Sequence, residues 1–304
     1  MKFEREQSVL KVGDVEIGGQ LGELPTVLVG SIFFDGHKIV DKDNEEAFDK
    51  KKARSLIETQ EELSNKTNVP HMVDIVGSTA SSIKKRIDFV ADVTEAPIFV
   101  DSTLPDVRVE GYRHAAEIGL IERVVYNSIT DHSKDDEISS LRDLGAKHAV
   151  LLAYHASAVW PYGRVDLLRG SEAKRGLLEV ASEAGIGNLM VDTAVLDVPS
   201  IGLAAEAVRL VKEELGLVAG GGPSNAVLEW DRVGELGKRA KNVCIAAATS
   251  AMQHSGADFL LYGPIGLAKV VFPSVAMTDA IIAYKARQYG IRPKSKMHPL
   301  YTIF

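Results

Sequence analysis

Ala96-Pro97-Ile98-Phe99-Val100-Asp101-Ser102-Thr103 joins a short run of apolar residues, without a polar face, to a carboxylate and two hydroxyls. A fully apolar run of this length suits a strand buried on both faces of a parallel sheet, and its abrupt polar end reads as a site. The same order recurs at Val124-Val125-Tyr126-Asn127-Ser128, at Leu189-Met190-Val191-Asp192-Thr193 and at Gly220-Gly221-Gly222-Pro223-Ser224-Asn225. The remaining sequence reads as the frame that gathers these four ends.

Outward from that stretch, strands and helices alternate. Strands are expected at 26–32, 72–76, 98–101, 123–128, 149–154, 189–193, 217–220 and 259–263. The intervening helices are expected at 50–66, 82–93, 112–118, 136–144, 174–184, 203–215, 226–238 and 244–253, with a long last one at 268–289. Eight strand–helix units in a chain of this size match a (β/α)8 TIM barrel, whose typical length is about 250 residues. A doubly wound sheet would show similar alternation, but no Gly-x-Gly-x-x-Gly fingerprint follows the first strand. Ahead of the barrel, Ser8–Val12 and Val15–Ile17 flank Gly13-Asp14 as a short hairpin cap. The expected organisation is one domain: hairpin and link at 1–24, barrel at 25–290 and a tail at 291–304 whose apolar end, through Phe304, packs on a neighbouring surface.

Composition narrows the function. The 304 residues are 45% hydrophobic and 25% charged with a formal net charge of −7, and acids and bases are interspersed, so nucleic acid is not an expected partner. No stretch approaches ~18 uninterrupted apolar residues, and Met1–Glu6 lacks a signal-peptide core. The expectation is a cytoplasmic protein that could still dock on a membrane-bound complex. The single cysteine, Cys244, excludes an internal disulfide or a multi-cysteine metal site, and its small apolar surroundings suggest a buried thiol. The eight histidines show no metal-ligand spacing, so no metal is expected on this chain.

In a barrel the carboxyl ends of all strands open into one mouth, which would bring together Asp101, Asn127, Asp192 and Asn225. Carboxylates accept hydrogen bonds, while carboxamides both donate and accept. The set therefore suits a neutral heterocycle with alternating N–H and C=O groups, such as the aminopyrimidinone edge of a pterin. It lacks the Lys or Arg that a phosphate would call for. Taken singly, each of these residues reads first as a strand-end cap or turn former; their repeated position at strand ends shifts the reading of the set.

The chain resembles a known family in Gly18-Gly19-Gln20, Pro25–Phe33, Gly36-His37-Lys38-Ile39, Phe48-Asp49-Lys50, Asp101-Ser102, Tyr126-Asn127-Ser128, Pro223–Val227, Gly256–Pro264 and His298-Pro299-Leu300. It is similar to the H subunit of tetrahydromethanopterin S-methyltransferase and its methylcorrinoid:tetrahydrofolate relatives. The resemblance implies methyl transfer between a tetrahydropterin and the cobalt of a corrinoid (cobalamin). It assigns Asp101, Asn127 and Asp192 to the pterin ring, and Asn225 to a hydrogen bond near the methyl-bearing nitrogen, with the proton coming from solvent. It also implies a homodimer. The nearest match to a corrinoid-binding Asp-x-His-x-x-Gly is Asp35-Gly36-His37-Lys38-Ile39-Val40, without the final glycine, so the corrinoid is expected on a separate protein.

Other groups remain open at this stage. Asp74, inside a strand, either lines the pterin pocket or fills a buried structural role. Trp160 and Tyr162 either cover a ring, meet the corrinoid protein or pack within their own loop, and Arg164 and Arg169 nearby are expected in solvent. Asp258 precedes its strand and should be structural, and His155 is a candidate for the mouth. A dihydropteroate synthase-like enzyme is one alternative, although only Lys269 lies where a pyrophosphate would need a basic cluster. A noncatalytic adaptor for a corrinoid protein is another. The shared pterin edge leaves tetrahydrofolate and tetrahydromethanopterin undistinguished.

Overall fold

A computed structural model of the chain describes residues 1–172 and 174–303; Phe304, the end of the expected tail, lies outside the described residues. The first strands, β1 (Val9–Val12) and β2 (Val15–Gly18), form an antiparallel hairpin. They are followed by β3 (Val27–Ile32), β4 (His71–Val76), β5 (Ile98–Asp101) and β6 (Val124–Ile129). The last four are β7 (His148–Leu152), β8 (Asn188–Asp192), β9 (Val218–Gly221) and β10 (Phe259–Pro264). Strands β3 to β10 pair in parallel, each with the next, and β10 closes on β3. The molecule is a (β/α)8 barrel capped by a hairpin.

Helices cover the outside: α1 (Lys50–Thr67), α2 (Ala80–Val93), α3 (Pro105–Glu117), α4 (Asp135–Asp143), α5 (Pro161–Arg169) and α6 (Leu177–Glu183). They continue with α7 (Ile201–Leu215), α8 (Pro223–Glu229), α9 (Asp231–Glu235), α10 (Lys238–His254) and α11 (Ala268–Ala286). Most expected spans hold within a few residues, with four exceptions. Helix α3 begins at Pro105, a full two turns before 112, because a proline suits the first helical position, where no N–H partner is needed. Helix α5 was not expected; it too starts on a proline. The expected helix at 226–238 is three pieces, broken at Trp230 and at Gly237, whose φ of +88° is a left-handed turn conformation. Helix α10 starts at Lys238, six residues before the expected 244.

Alternation along each strand builds two cores. One set of side chains, including Leu28, Ile75, Val100, Tyr126 and Val191, faces the helices. The other points into the barrel and fills it: Val29, Met72, Phe99, Val125, Val150 and Met190 lie in one buried cluster with Leu10, Val12 and Ile17 of the hairpin. The hairpin thus stoppers the amino-terminal end, and burying each such side chain contributes roughly 1.5–3 kcal/mol. Among the described residues, one helical stretch, Ile265–Tyr289, is long and apolar enough to cross a membrane, yet 56% of its most apolar window is buried inside the fold. Cys244 is half-buried rather than buried, because the apolar run that contains it lies on the partly open flank of α10.

At the stoppered end Lys212 on α7 is fully buried, donating to Asp258 Oδ1 and Oδ2 at 2.7 and 2.8 Å and to the Gly19 carbonyl at 2.9 Å. Asp258 also accepts from the Ala219 amide at 3.0 Å, so this residue ties helix, link and two strands together. Asp258→Ala is expected to cost roughly 3–5 kcal/mol in chemical denaturation, since it strands a buried ammonium, and Lys212→Met in the same chain should recover part of that loss.

Candidate functional site

The inward alternation that fills the barrel also sets the site. Counting two residues on from an inward apolar side chain leads from Val29 to Ser31, from Met72 to Asp74, from Phe99 to Asp101, from Val125 to Asn127 and from Met190 to Asp192. These five polar side chains share the inner face, one step above the hydrocarbon floor, at the carboxyl ends of β3, β4, β5, β6 and β8; on β7 the same position is the apolar Leu152. Asp101 and Asn127 are directly paired across β5 and β6, and Ser31 and Asp74 across β3 and β4. Ser31 Oγ donates to Asp74 Oδ2 at 2.6 Å. The Asn127–Ser128 peptide is cis. On β9 the equivalent inward position is Gly220, where an added Cβ would lie 2.1 Å from the Phe259 carbonyl, so no side chain fits there.

Asp74 is fully buried and Asp101 and Asp192 are half-buried, so three carboxyl groups this close cannot all hold their charge cheaply. Burial pushes Asp74 up to about 6, against hydrogen bonds from Ser31 and Asn127. Burial foremost, then the charge of Asp74, holds Asp101 well above the usual carboxylate range; Arg108 opposes this and Asp192 adds to it. Burial also raises Asp192 to about 6, against the Ala194 amide, which donates to Oδ1 at 2.7 Å, and against the charge of Arg164. Among the described residues, no Lys or Arg hydrogen-bonds any of the three. Burial thus favours the protonated form of each carboxyl more than in an ordinary aspartate, so the mouth can offer a carboxyl donor as well as carboxylate acceptors, which the residue types alone did not indicate.

Asn225 is the third residue of α8, is exposed, and has no hydrogen-bond partner among the described residues. Its Oδ1 lies over Gly263 at the end of β10, where an added Cβ would come to 2.5 Å; Gly263 has φ +72°. The structure thus brings Asp74, Asp101, Asn127 and Asp192 into one ring and sets Asn225 at its edge.

The loops above differ from expectation. Arg164 is fully buried rather than solvated: its Nη1 donates to the carbonyls of Thr193 and Ala194, the latter at 2.8 Å, and its Nε to that of Val159 at 3.1 Å. Arg169 pairs with Glu214 at 2.8 Å. Trp160 and Tyr162 are 69% and 64% exposed and do not pack within their loop, because α5 turns their side of the chain outward while burying Arg164 and Val165. His37 accepts from the Phe33 amide at 3.0 Å through Nδ1 and stacks on Phe34 at 4.3 Å, so its neutral ring carries the proton on Nε2 and Nδ1 is committed to its own loop. His155 lies beyond β7 in the outer loops, hydrogen-bonded to Ser157. Among the described residues, no group of three His, Cys, Asp or Glu has the geometry to hold a metal. Sequence reasoning missed Ser31, Arg108 and Arg164. For Ser31 the inward alternation was a usable signal; for the arginines there was none.

This architecture defines a class of barrel. Solved dihydropteroate synthases share it: the Xanthomonas albilineans enzyme in complex with indole-2-carboxylic acid and 6-chloroguanine superposes with a TM-score of 0.59 at 19% identity, covering 93% of this chain and 98% of its own. The Stenotrophomonas maltophilia enzyme gives 0.59 at 17%, covering 90% and 98%. At such identities the likeness is one of fold. Sequence carries the rest: residues 5–294 match the family model described as Tetrahydromethanopterin S-methyltransferase MtrH subunit, and the chain belongs to that family. The H subunit of tetrahydromethanopterin S-methyltransferase from Methanothermobacter thermautotrophicus is 37% identical over 99% of both chains, and that from Methanopyrus kandleri 38% over 97% of both. The H subunit of the putative methyltransferase mtx of Methanosarcina acetivorans is 36% identical over 98% of both.

Asp74 tests the electrostatics. Its folded pKa, about 6, lies above the ordinary 3.8, so the cost of ionising it is absent below about pH 4 and grows as pH rises through 6. Asp74→Asn, which keeps the Ser31 contact, is expected to be more stable than the parent by roughly 1–3 kcal/mol at pH 8, with no difference at pH 4, in urea melts at the two pH values.

Proposed function

We propose that the chain is the pterin-binding methyltransferase unit of its family, moving a methyl group between a tetrahydropterin and the cobalt of a corrinoid on a separate protein. The single observation that carries this reading is the ring of Asp74, Asp101, Asn127 and Asp192 above an apolar floor, with no cation among its hydrogen-bond partners in the described residues. Family membership supports methyl transfer, and the names of the relatives support tetrahydromethanopterin as the carrier. A flat, uncharged ring with N–H donors along one edge would replace the water that these carboxyl groups lose on burial. Its hydrophobic faces would rest against Gly220 and the floor.

In this reading Asp101, Asn127 and Asp192 hold the aminopyrimidinone edge, with Asp74 supporting from below. Asn225, free at the rim, donates to the ring nitrogen that bears the methyl group. That nitrogen is a poor leaving group until charge developing on it is met by a hydrogen bond or proton, so a preorganised donor acts mainly in the transition state. The corrinoid supplies the nucleophile or leaving group at cobalt, and the chain's task is to keep nitrogen, methyl and cobalt in line.

The partner would approach the mouth. Around it stand exposed apolar side chains on loops from several strand ends: Leu104, Trp160, Tyr162, Leu196 and Trp230. Large aromatic residues beside an open site suit a broad macrocycle presented by another protein. A second apolar face lies away from the mouth on α11, where Pro273, Met277, Ile281 and Tyr284 are exposed at spacings of four, four and three. This face would bury itself in a homodimer. The one stretch long and apolar enough to cross a membrane among the described residues, Ile265–Tyr289, is more than half buried in the fold, and a cytoplasmic protein docking on a larger complex fits.

Mixing the chain with methylated tetrahydropterin and reduced corrinoid protein, and following the cobalt absorption, tests the activity; no change with an active partner overturns it. Asn225→Ala should lower the transfer rate roughly 100- to 1,000-fold with little change in pterin affinity. Asp101→Ala and Asp192→Ala should instead weaken pterin binding roughly 10- to 100-fold by calorimetry. Ile281→Glu should convert the dimer to a monomer in sedimentation without loss of pterin binding.

A further inference from the structure

Behind the acidic mouth stand three buried arginines, each holding backbone carbonyls at the end of a strand that carries an aspartate. Arg86 on α2 donates to the Val76 carbonyl at 2.8 Å, two residues after Asp74. Arg108 on α3 donates to the Ser102 carbonyl at 2.5 Å, next to Asp101. Arg164 on α5 donates to Thr193 and Ala194, the two residues after Asp192. Arg108 is neutralised locally by Glu137, 3.0 Å away and almost fully buried. Arg164 differs: among the described residues it makes no salt bridge, its Nη2 is buried without a partner, and the carboxylate acting on it most strongly is Asp192.

We infer that Arg164 is a positioning residue for Asp192, fixing the carboxylate through the backbone turn that holds it and supplying the one positive charge that keeps it an acceptor. The link is short. Ala194, which is not glycine, sits at φ +54°, a conformation that L side chains adopt only when surrounding structure holds them there. Its amide grips Asp192 Oδ1 at 2.7 Å while its carbonyl is gripped by Arg164 at 2.8 Å, so one peptide segment transmits the guanidinium's position to the carboxylate. Thr193, packed against the carbonyls of Ala204 and Gly220 at 3.1 Å, closes the other side of the turn. The charged groups acting around Asp192 are Arg164 behind it and Asp101 across the mouth, with Tyr154 acting on Arg164. Losing Arg164 leaves Asp101 as the charged neighbour, which favours the protonated form of Asp192. The consequence for ligand recognition rests on the pterin reading above; the effect on Asp192 does not.

The experiment follows the Asp192 carboxyl carbon by NMR in the ligand-free chain labelled at aspartate, with the signal assigned by its absence in Asp192→Asn. In Arg164→Gln the titration midpoint is expected to rise from about 6 by roughly one pH unit or more, and in Arg164→Lys to return most of the way. Tetrahydrofolate and tetrahydromethanopterin binding should then weaken roughly fivefold at pH 6 and less than twofold at pH 8, as the ionised fraction dictates. An unchanged Asp192 midpoint in a natively folded Arg164→Gln chain overturns the inference. If that variant does not fold, the lysine variant decides: hydrogen exchange at the Ala194 amide should speed up about tenfold as the fork is lost, and unchanged protection overturns the inference. If Asp192 responds as expected while neither pterin binds the parent chain at any pH, the pterin reading fails and the role of Arg164 stands.

Discussion

Carboxyl groups one step above a hydrocarbon floor impose the condition that the rest of this barrel answers. Each of Asp74, Asp101 and Asp192 follows by two residues an apolar side chain that fills the interior, so the alternation that excludes water from the barrel also delivers the acids to its dry edge. Ionising them there is costly, and their charges oppose one another. The fold meets this with few direct partners: a serine hydroxyl for Asp74, a backbone amide for Asp192, and positive charge kept one layer back on Arg108 and Arg164. A direct ion pair would quench the acceptors that a neutral heterocycle needs.

The two ends of the barrel handle buried charge in opposite ways. At the stoppered end Lys212 and Asp258 meet at hydrogen-bond distance and join the link, α7 and the strands into one rigid base. At the mouth the arginines grip carbonyls instead, leaving the aspartates without a direct ion pair among the described residues. Direct ion pairing is concentrated at the closed end, and uncompensated charge at the open one. That division fits the proposed role, in which the mouth reads a polar edge and the exposed aromatic rim meets a second protein.

Much of this was legible along the chain. The strand grammar gave the barrel, its hairpin cap and the convergence of Asp101, Asn127 and Asp192, because a buried parallel strand of fixed pitch leaves few places for its last polar residue to point. Asp74 remained ambiguous, since a carboxylate within an apolar run serves equally as a structural acceptor; its inward register against Ser31 places it beneath the mouth. Arg164 came out reversed, and of the readings open for Trp160 and Tyr162 the packed loop is the one the structure removes. They share one short segment, and which of its side chains is buried depends on a helix, α5, whose docking is set by α7 and by the loop after β8 rather than by its own composition.

The sequence by itself determined the class of fold, the polar strand ends and the family, because each follows from local periodicity or from residues adjacent in the chain. Only the tertiary structure decided how those ends behave. Whether an aspartate is ionised depends on what lies through space: the Phe99 layer beneath it, the carboxylate across the mouth and the guanidinium behind it. Those neighbours come from strands and helices distant in sequence, brought within a few ångströms only when β10 closes on β3.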